Sequence, residues 1–188
     1  MEEKECPVCP PEEKVRLVKM SEISLSLDTY DDIFSDFDPR PYSERALSDD
    51  FLYEAKRASR EKKSGKVELH FLIPQNARNH DSEKIIIKRL HEHFKKHHTQ
   101  LHEETNKIRS RGVASASIGM LMMVLATYIS TMKSEDFLFN LLFVVMEPAG
   151  WFITWFGLDN IFYTSAQKKP DLEFYEKMST CEIRFTPY

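Results

Sequence analysis

Glycine is scarce in this sequence, at 5 of 188 residues, and cysteine scarcer still at 3. The first excludes a collagen-like repeat, and no P-loop or dinucleotide-binding glycine pattern occurs. The second leaves too few thiols for a disulfide scaffold. A Gly-x-Ser-x-Gly elbow is missing as well, as is any local Cys/His or Ser/His/Asp pairing, so no catalytic motif supports an enzyme. Positive charge is not in excess, since 26 Lys and Arg face 30 Asp and Glu for a net charge of −4, which argues against a nucleic-acid partner. Aromatic residues at 12% argue against disorder.

What is present is unevenly distributed. Nearly all long apolar runs lie between Val113 and Tyr163, while the chain before Gly112 is strongly charged. Val113 to Met132 is 20 residues without a charge, and at about 1.5 Å per residue it matches a hydrocarbon core of roughly 30 Å. Four residues later a second run begins, Phe137 to Leu158, whose only charge is Glu147. The short gap predicts an antiparallel transmembrane hairpin, and its distance from Met1 argues against a signal peptide. A central acid costs about 2.5–3.5 kcal/mol, whereas the 12 Phe, Leu, Ile and Val residues of this run return roughly 4–7 kcal/mol together. The second helix is therefore expected to insert. Eight Lys and Arg flank the outer ends of the hairpin against Lys133 alone in the gap, which predicts a two-span integral membrane protein with both termini cytoplasmic.

The charged remainder carries strand and helix patterns. Period-two alternation at Ile23, Leu25 and Leu27, at Val67, Leu69, Phe71 and Ile73, and at Cys181, Ile183 and Phe185 predicts three half-buried strands, with Val15–Met20 a less regular fourth. Between the first two, Ser48-Asp49-Asp50, an apolar stripe (Phe51, Leu52, Ala55, Ala58), then Lys62, Lys63 and Gly65 predict one packing helix. A helix from about Glu83 meets no breaker before Gly112. Its seam of Ile87, Leu90, Phe94, Leu101 and Ile108 continues through Ser115, Ile118, Met122, Leu125 and Ile129, giving a stalk continuous with the first span. The expected fold is thus an α+β membrane protein, a two-helix transmembrane hairpin inserted in a small cytoplasmic α+β domain. Residues 1–13 form a flexible N-terminus, 14–81 the α+β domain, 82–112 the stalk, 113–163 the hairpin, and 164–188 a tail whose strand returns to the sheet.

Several constellations can carry chemistry. Glu147, Trp151, Trp155 and Asp159 are spaced by four and share a helix face, and Pro148 frees a backbone carbonyl one turn back. This intramembrane polar site is expected either to hydrogen-bond a hydroxyl of the first helix or a neighbouring subunit, or to form part of an oligomeric ion or proton conduit. Gly112-x-x-x-Ala116 and Ser115-x-x-x-Gly119 provide small residues for helix packing. Cys6 and Cys9 resemble one knuckle of a zinc site without its second half, and His93 with His97 is an i,i+4 pair able to clamp a metal or titrate near neutrality. No cofactor is expected beyond such a zinc. The segment Asp28–Asp50, with seven Asp, does not match an EF-hand; Ile33, Phe34, Phe37 and Tyr42 are expected to pin it to the sheet. Taken together these features predict a self-associating, membrane-anchored scaffold, adaptor or effector whose partners are the lipid bilayer, further copies of itself and a cytoplasmic protein. Two alternatives are a conduit through Glu147 and a metal- or pH-responsive sensor.

Overall fold

The computed structural model describes residues 22–61, 67–131 and 137–188; Cys6, Cys9 and Val15–Met20 lie outside them. The described chain is mostly helical, with one small three-stranded sheet. In order it forms β1 (Glu22–Ser26), α1 (Asp49–Glu61), β2 (Glu68–Ile73), α2 (His80–Thr131), α3 (Phe137–Asp159), α4 (Lys169–Thr180) and β3 (Glu182–Pro187). It divides into two compact units. One extends to His98 and resumes from Glu173 to Tyr188, and the other is Thr99–Leu172.

In the first unit β2 is central, with β1 and β3 both parallel to it. The register sets Ile23 beside Leu69 and Leu69 beside Ile183, then Leu25, Phe71 and Phe185 in the next row. Because side chains alternate along a strand, these residues share one face. That face is the core: Leu69, Phe71 and Ile73 are fully buried, joined by Phe51 and Ala55 of α1, Ile86, Leu90 and Phe94 of α2, and Phe174 and Met178 of α4. The Phe71 and Phe185 rings stack at 5.1 Å. Ser24, Ser26, His70 and Arg184 occupy the alternate positions, so the opposite face is largely polar.

Helix α2 starts three residues earlier than Glu83. Asn79 caps it, its side-chain oxygen accepting the amides of Asp81 (3.0 Å) and Ser82 (3.2 Å). It then runs 52 residues without a break. Leu90 and Phe94 of the expected seam are buried, but elsewhere its inward positions differ. Ile86 is buried and Ile87 only partly so, while Ile118 and Leu125 point outward, 55% and 45% exposed, and Gly112, Ala116, Gly119 and Ala126 are buried instead. Close backbone approach selects the small side chains and turns the large ones away.

Residues 164–188 carry helices ahead of the strand β3. A π-helical turn at Asn160–Thr164 and a short helix at Ser165–Gln167 follow α3, and α4 then buries Phe174 and Met178, one turn apart, against the sheet. Pro170 sits in the first turn of α4, where its missing N–H costs nothing.

In the Asp28–Asp50 segment Ile33 and Phe34 are buried and Tyr42 stacks on Phe34 at 5.2 Å. Phe37 does not join them and is 97% exposed. The Asp38 carboxylate takes a two-point bond from Arg40 and the amide of Ala46, a local turn that leaves Phe37 at its outer tip. Arg40 and these amides hold that carboxyl well below the usual range.

Candidate functional site

The second unit contains an antiparallel pair of helices long and apolar enough to cross a membrane. Glycine opposes glycine along their contact. A Cβ on Gly157 would come within 2.6 Å of the Gly112 carbonyl oxygen and 2.8 Å of Ala116 Cα, and closer still to the Ala116 nitrogen. One on Gly119 would meet the Thr154 nitrogen at 2.5 Å, the Gly150 carbonyl at 2.6 Å and the Thr154 hydroxyl oxygen. The backbones therefore touch at two levels seven residues apart on each helix. Of the small residues singled out in the sequence, Gly112, Ala116 and Gly119 lie in this contact, and Ser115 is at its edge, half-buried. Gly150, Gly157 and Thr154 supply the other side, and Thr154 spends its hydroxyl on the Gly150 carbonyl at 2.8 Å.

Glu147 points elsewhere. With Pro148, Trp151, Trp155 and Asp159 it lies on an exposed part of α3. Trp151 and Trp155 are 63% and 61% exposed and stack with centroids 5.9 Å apart, their planes 5° from parallel. The expected hydrogen bond from Glu147 to a hydroxyl of the first helix is not made. The glycine-lined side of α3 takes the contact, and Glu147 is rotated off it. Pro148 is accommodated inside the helix without ending it.

The two histidines do come together in the first unit. Their rings are 4.3 Å apart, and His97 stacks on Tyr175 of α4 at 5.4 Å. His93 Nε2 is buried and has no hydrogen-bond partner among the described residues. Among the described residues no group of three His, Cys, Asp or Glu side chains converges as metal ligands, so this pair has no third ligand there. Burial, then the nearby His97, Arg89 and Lys96, pushes the His93 imidazole down to about 4, and burial followed by Lys96 and Arg89 lowers His97.

Between an unfolded value near 6.5 and the folded value near 4 the unfolded chain binds the extra proton, so stability falls as pH is lowered through that window. We expect a loss of about 1–2 kcal/mol from pH 7 to pH 4.5, because partial solvent access screens the interaction. Urea unfolding at both pH values checks it, and His93→Leu is expected to flatten that part of the profile.

A polar cluster not anticipated from the sequence sits at the start of α2. Glu83 is 6% exposed and accepts from Arg78 through both oxygens (2.8 and 3.0 Å), from the Tyr30 hydroxyl (3.0 Å), and lies 3.2 Å from His80 Nδ1. Tyr30 in turn accepts the Asn79 amide at 2.8 Å. Burial alone would raise the Glu83 carboxyl, but the bonds from Arg78 and Tyr30 outweigh it and hold it below its ordinary value. Burial pushes the Tyr30 phenol up. A carboxylate so fully occupied has little capacity left to act as a base, and its geometry is that of a brace between the Tyr30 turn and α2. The clue in the sequence was Arg78-Asn79 followed by Glu83, a cation and a cap ahead of a first-turn acid.

Cys181 is equally unreactive. Burial pushes its thiol up to about 11, and its sulfur donates to the Met178 carbonyl at 3.2 Å. The groove of about 430 Å³ beside it also holds His91, whose Nε2 is 3.0 Å from the Cys181 carbonyl oxygen.

Comparison of the chain with protein-family models, with curated proteins and with solved structures yields no match.

Proposed function

We propose that this protein is a two-span integral membrane protein whose hairpin anchors the α+β unit at the cytoplasmic face, where that unit serves as a scaffold, adaptor or effector. The observation that supports this most strongly is the inverted distribution of bulk in α2 and α3. Glycine and alanine face inward, whereas Leu121, Val124, Leu138, Phe152 and Phe156 face outward at 54–71% exposure. Only 22% of the apolar window in α2, and 6% of that in Phe137–Gln167, is buried. In water such a surface far exceeds the apolar patch a soluble monomer tolerates, and in hydrocarbon it is the expected arrangement. The buried core helix of a soluble protein has the opposite pattern.

The cytoplasmic placement is supported by charge. Lys and Arg cluster at the outer ends of the hairpin, and among the described residues the buried Glu83 carboxylate is fully paired and burial keeps the Cys181 thiol protonated. A binding rather than a catalytic module fits these groups better. Alkaline carbonate extraction of membranes tests the reading, and the protein is expected to stay in the pellet. Tags on the two ends should both resist protease added to intact cells. Recovery in the carbonate supernatant, or one end cut from outside, overturns it.

A further inference from the structure

We infer that the face of α3 formed by Asn140, Val144, Glu147 and Trp151 is the contact surface for a second copy of this chain, with the two Glu147 side chains meeting across a two-fold axis. The inference rests on the membrane reading above and names the partner that α3 takes there.

Depth comes first. Glu147 is ten residues into α3, roughly 15 Å from its start and so near the middle of a hydrocarbon core of about 30 Å. A carboxyl at that depth is costly without a partner. Among the described residues its own chain offers none. The pairing of Gly112 with Gly157 and of Gly119 with Gly150 sets Met122 and Met123 at the level of Glu147, and these carry no hydrogen-bond donor. The nearest hydroxyls of α2 on either side, Ser117 and Thr127, already donate to the carbonyls of Val113 and Met123. Among the described residues Glu147 has no hydrogen bond or ion pair.

A second polar side chain repeats the problem on the same face. Asn140 is exposed, makes no hydrogen bond among the described residues, and lies seven residues before Glu147, two turns along. Val144 and Trp151, 62% and 63% exposed, complete the spacing i, i+4, i+7, i+11, the pattern by which one helix meets another at a shallow angle.

What occupies this face must present a donor and an acceptor at two fixed depths. A copy related by a two-fold axis along the membrane normal does so without further adjustment, since it places Asn140 opposite Asn140 and Glu147 opposite Glu147. An amide both donates and accepts, and two carboxyls can share a proton, so each pairs with its own kind. Polar pairs of this type hold membrane helices together. A different protein would need a matching intramembrane donor at each of the same two levels.

The test is disulfide crosslinking of the full chain in native membranes, with Cys6 and Cys9 replaced by serine and Cys181 left in its buried site. Val144→Cys is expected to give a crosslinked dimer under mild oxidation, whereas Val145→Cys, on another side of the helix, gives little. Adding Glu147→Leu to Val144→Cys should lower the dimer fraction about fivefold or more, while Glu147→Gln, which keeps a donor and an acceptor, should largely retain it. No dimer from Val144→Cys, equal dimer from both positions, or no effect of Glu147→Leu overturns the inference. So does a monomer that co-purifies with a different spanning protein. In each of those cases the chain still pellets with carbonate-washed membranes, whereas failure of the membrane reading shows as loss from the pellet.

Discussion

Leucine at both Gly119 and Gly157 is expected to force α2 and α3 apart while leaving each helical. At Gly157 an added Cβ collides with backbone, the Gly112 carbonyl at 2.6 Å and Ala116 Cα at 2.8 Å, and backbone cannot rotate away as a side chain can. Gly150 is more forgiving, since one of its close neighbours at 2.9 Å is the flexible Met123 side chain. Even alanine at Gly157 costs about 1–3 kcal/mol by overpacking, and leucine more. Little else in the described hairpin resists separation, because interhelical polar bonds are worth only about 0.6–2 kcal/mol each and Ser117, Thr127 and Thr154 bond within their own helices. Spin labels at Val124 and Val145, which the glycine pairing places at one level, read the outcome. With Cys6 and Cys9 changed to serine, the double variant should show a longer and broader distance distribution than the parent. A distribution unchanged in mean and width would mean that the glycines are not what sets the spacing.

The same residues show how far the sequence could be read. Strand positions were legible because Ile23, Leu69, Phe71 and Ile183 alternate with polar residues, and a period of two is the mark of a strand with one face buried. The two apolar helices were legible from length and lack of charge alone. Which side of α2 faces α3 was not, because hydrophobic periodicity marks the large residues, and here Ile118 and Leu125 face outward while Gly119 and Ala126 face in. In a lipid-facing pair the inward signal is smallness, which a seam of apolar side chains obscures. Helix α4 escaped notice because Phe174 and Met178 are only two buried points separated by charged residues. The exposed Phe37 could not be foreseen, since its apolar character matches that of its buried neighbours Ile33 and Phe34. Glu147 was conspicuous as the only charge of its run, yet the side to which it points depends on where the glycines of α3 fall.

Replacing Glu83 by alanine is expected to cost the first unit about 3–5 kcal/mol, the range for breaking a buried ion pair and leaving one charge unmatched. Its side chain is 8% exposed and that of Arg78 21%, so water cannot readily replace what is removed. Against a typical total of about 5–15 kcal/mol this is a large fraction, and cooperative urea unfolding of the full chain in detergent should shift accordingly. The effect carries a pH signature. Because the folded carboxyl ionises below its ordinary value, the stabilisation is complete above the unfolded value near 4.3 and is lost as pH falls through the lower folded value. That extends below the window of His93, so stability should fall in two successive steps as pH is lowered, and the more acidic fall should be reduced in Glu83→Ala, leaving the part that Asp38 contributes. The double variant Arg78→Leu with Glu83→Leu decides whether the pair acts as a unit. If it does, the double loses less than the sum of the two singles, because no unmatched charge remains buried. Strict additivity would instead mean that Tyr30 and the Asn79 cap hold the start of α2 without help from the ion pair.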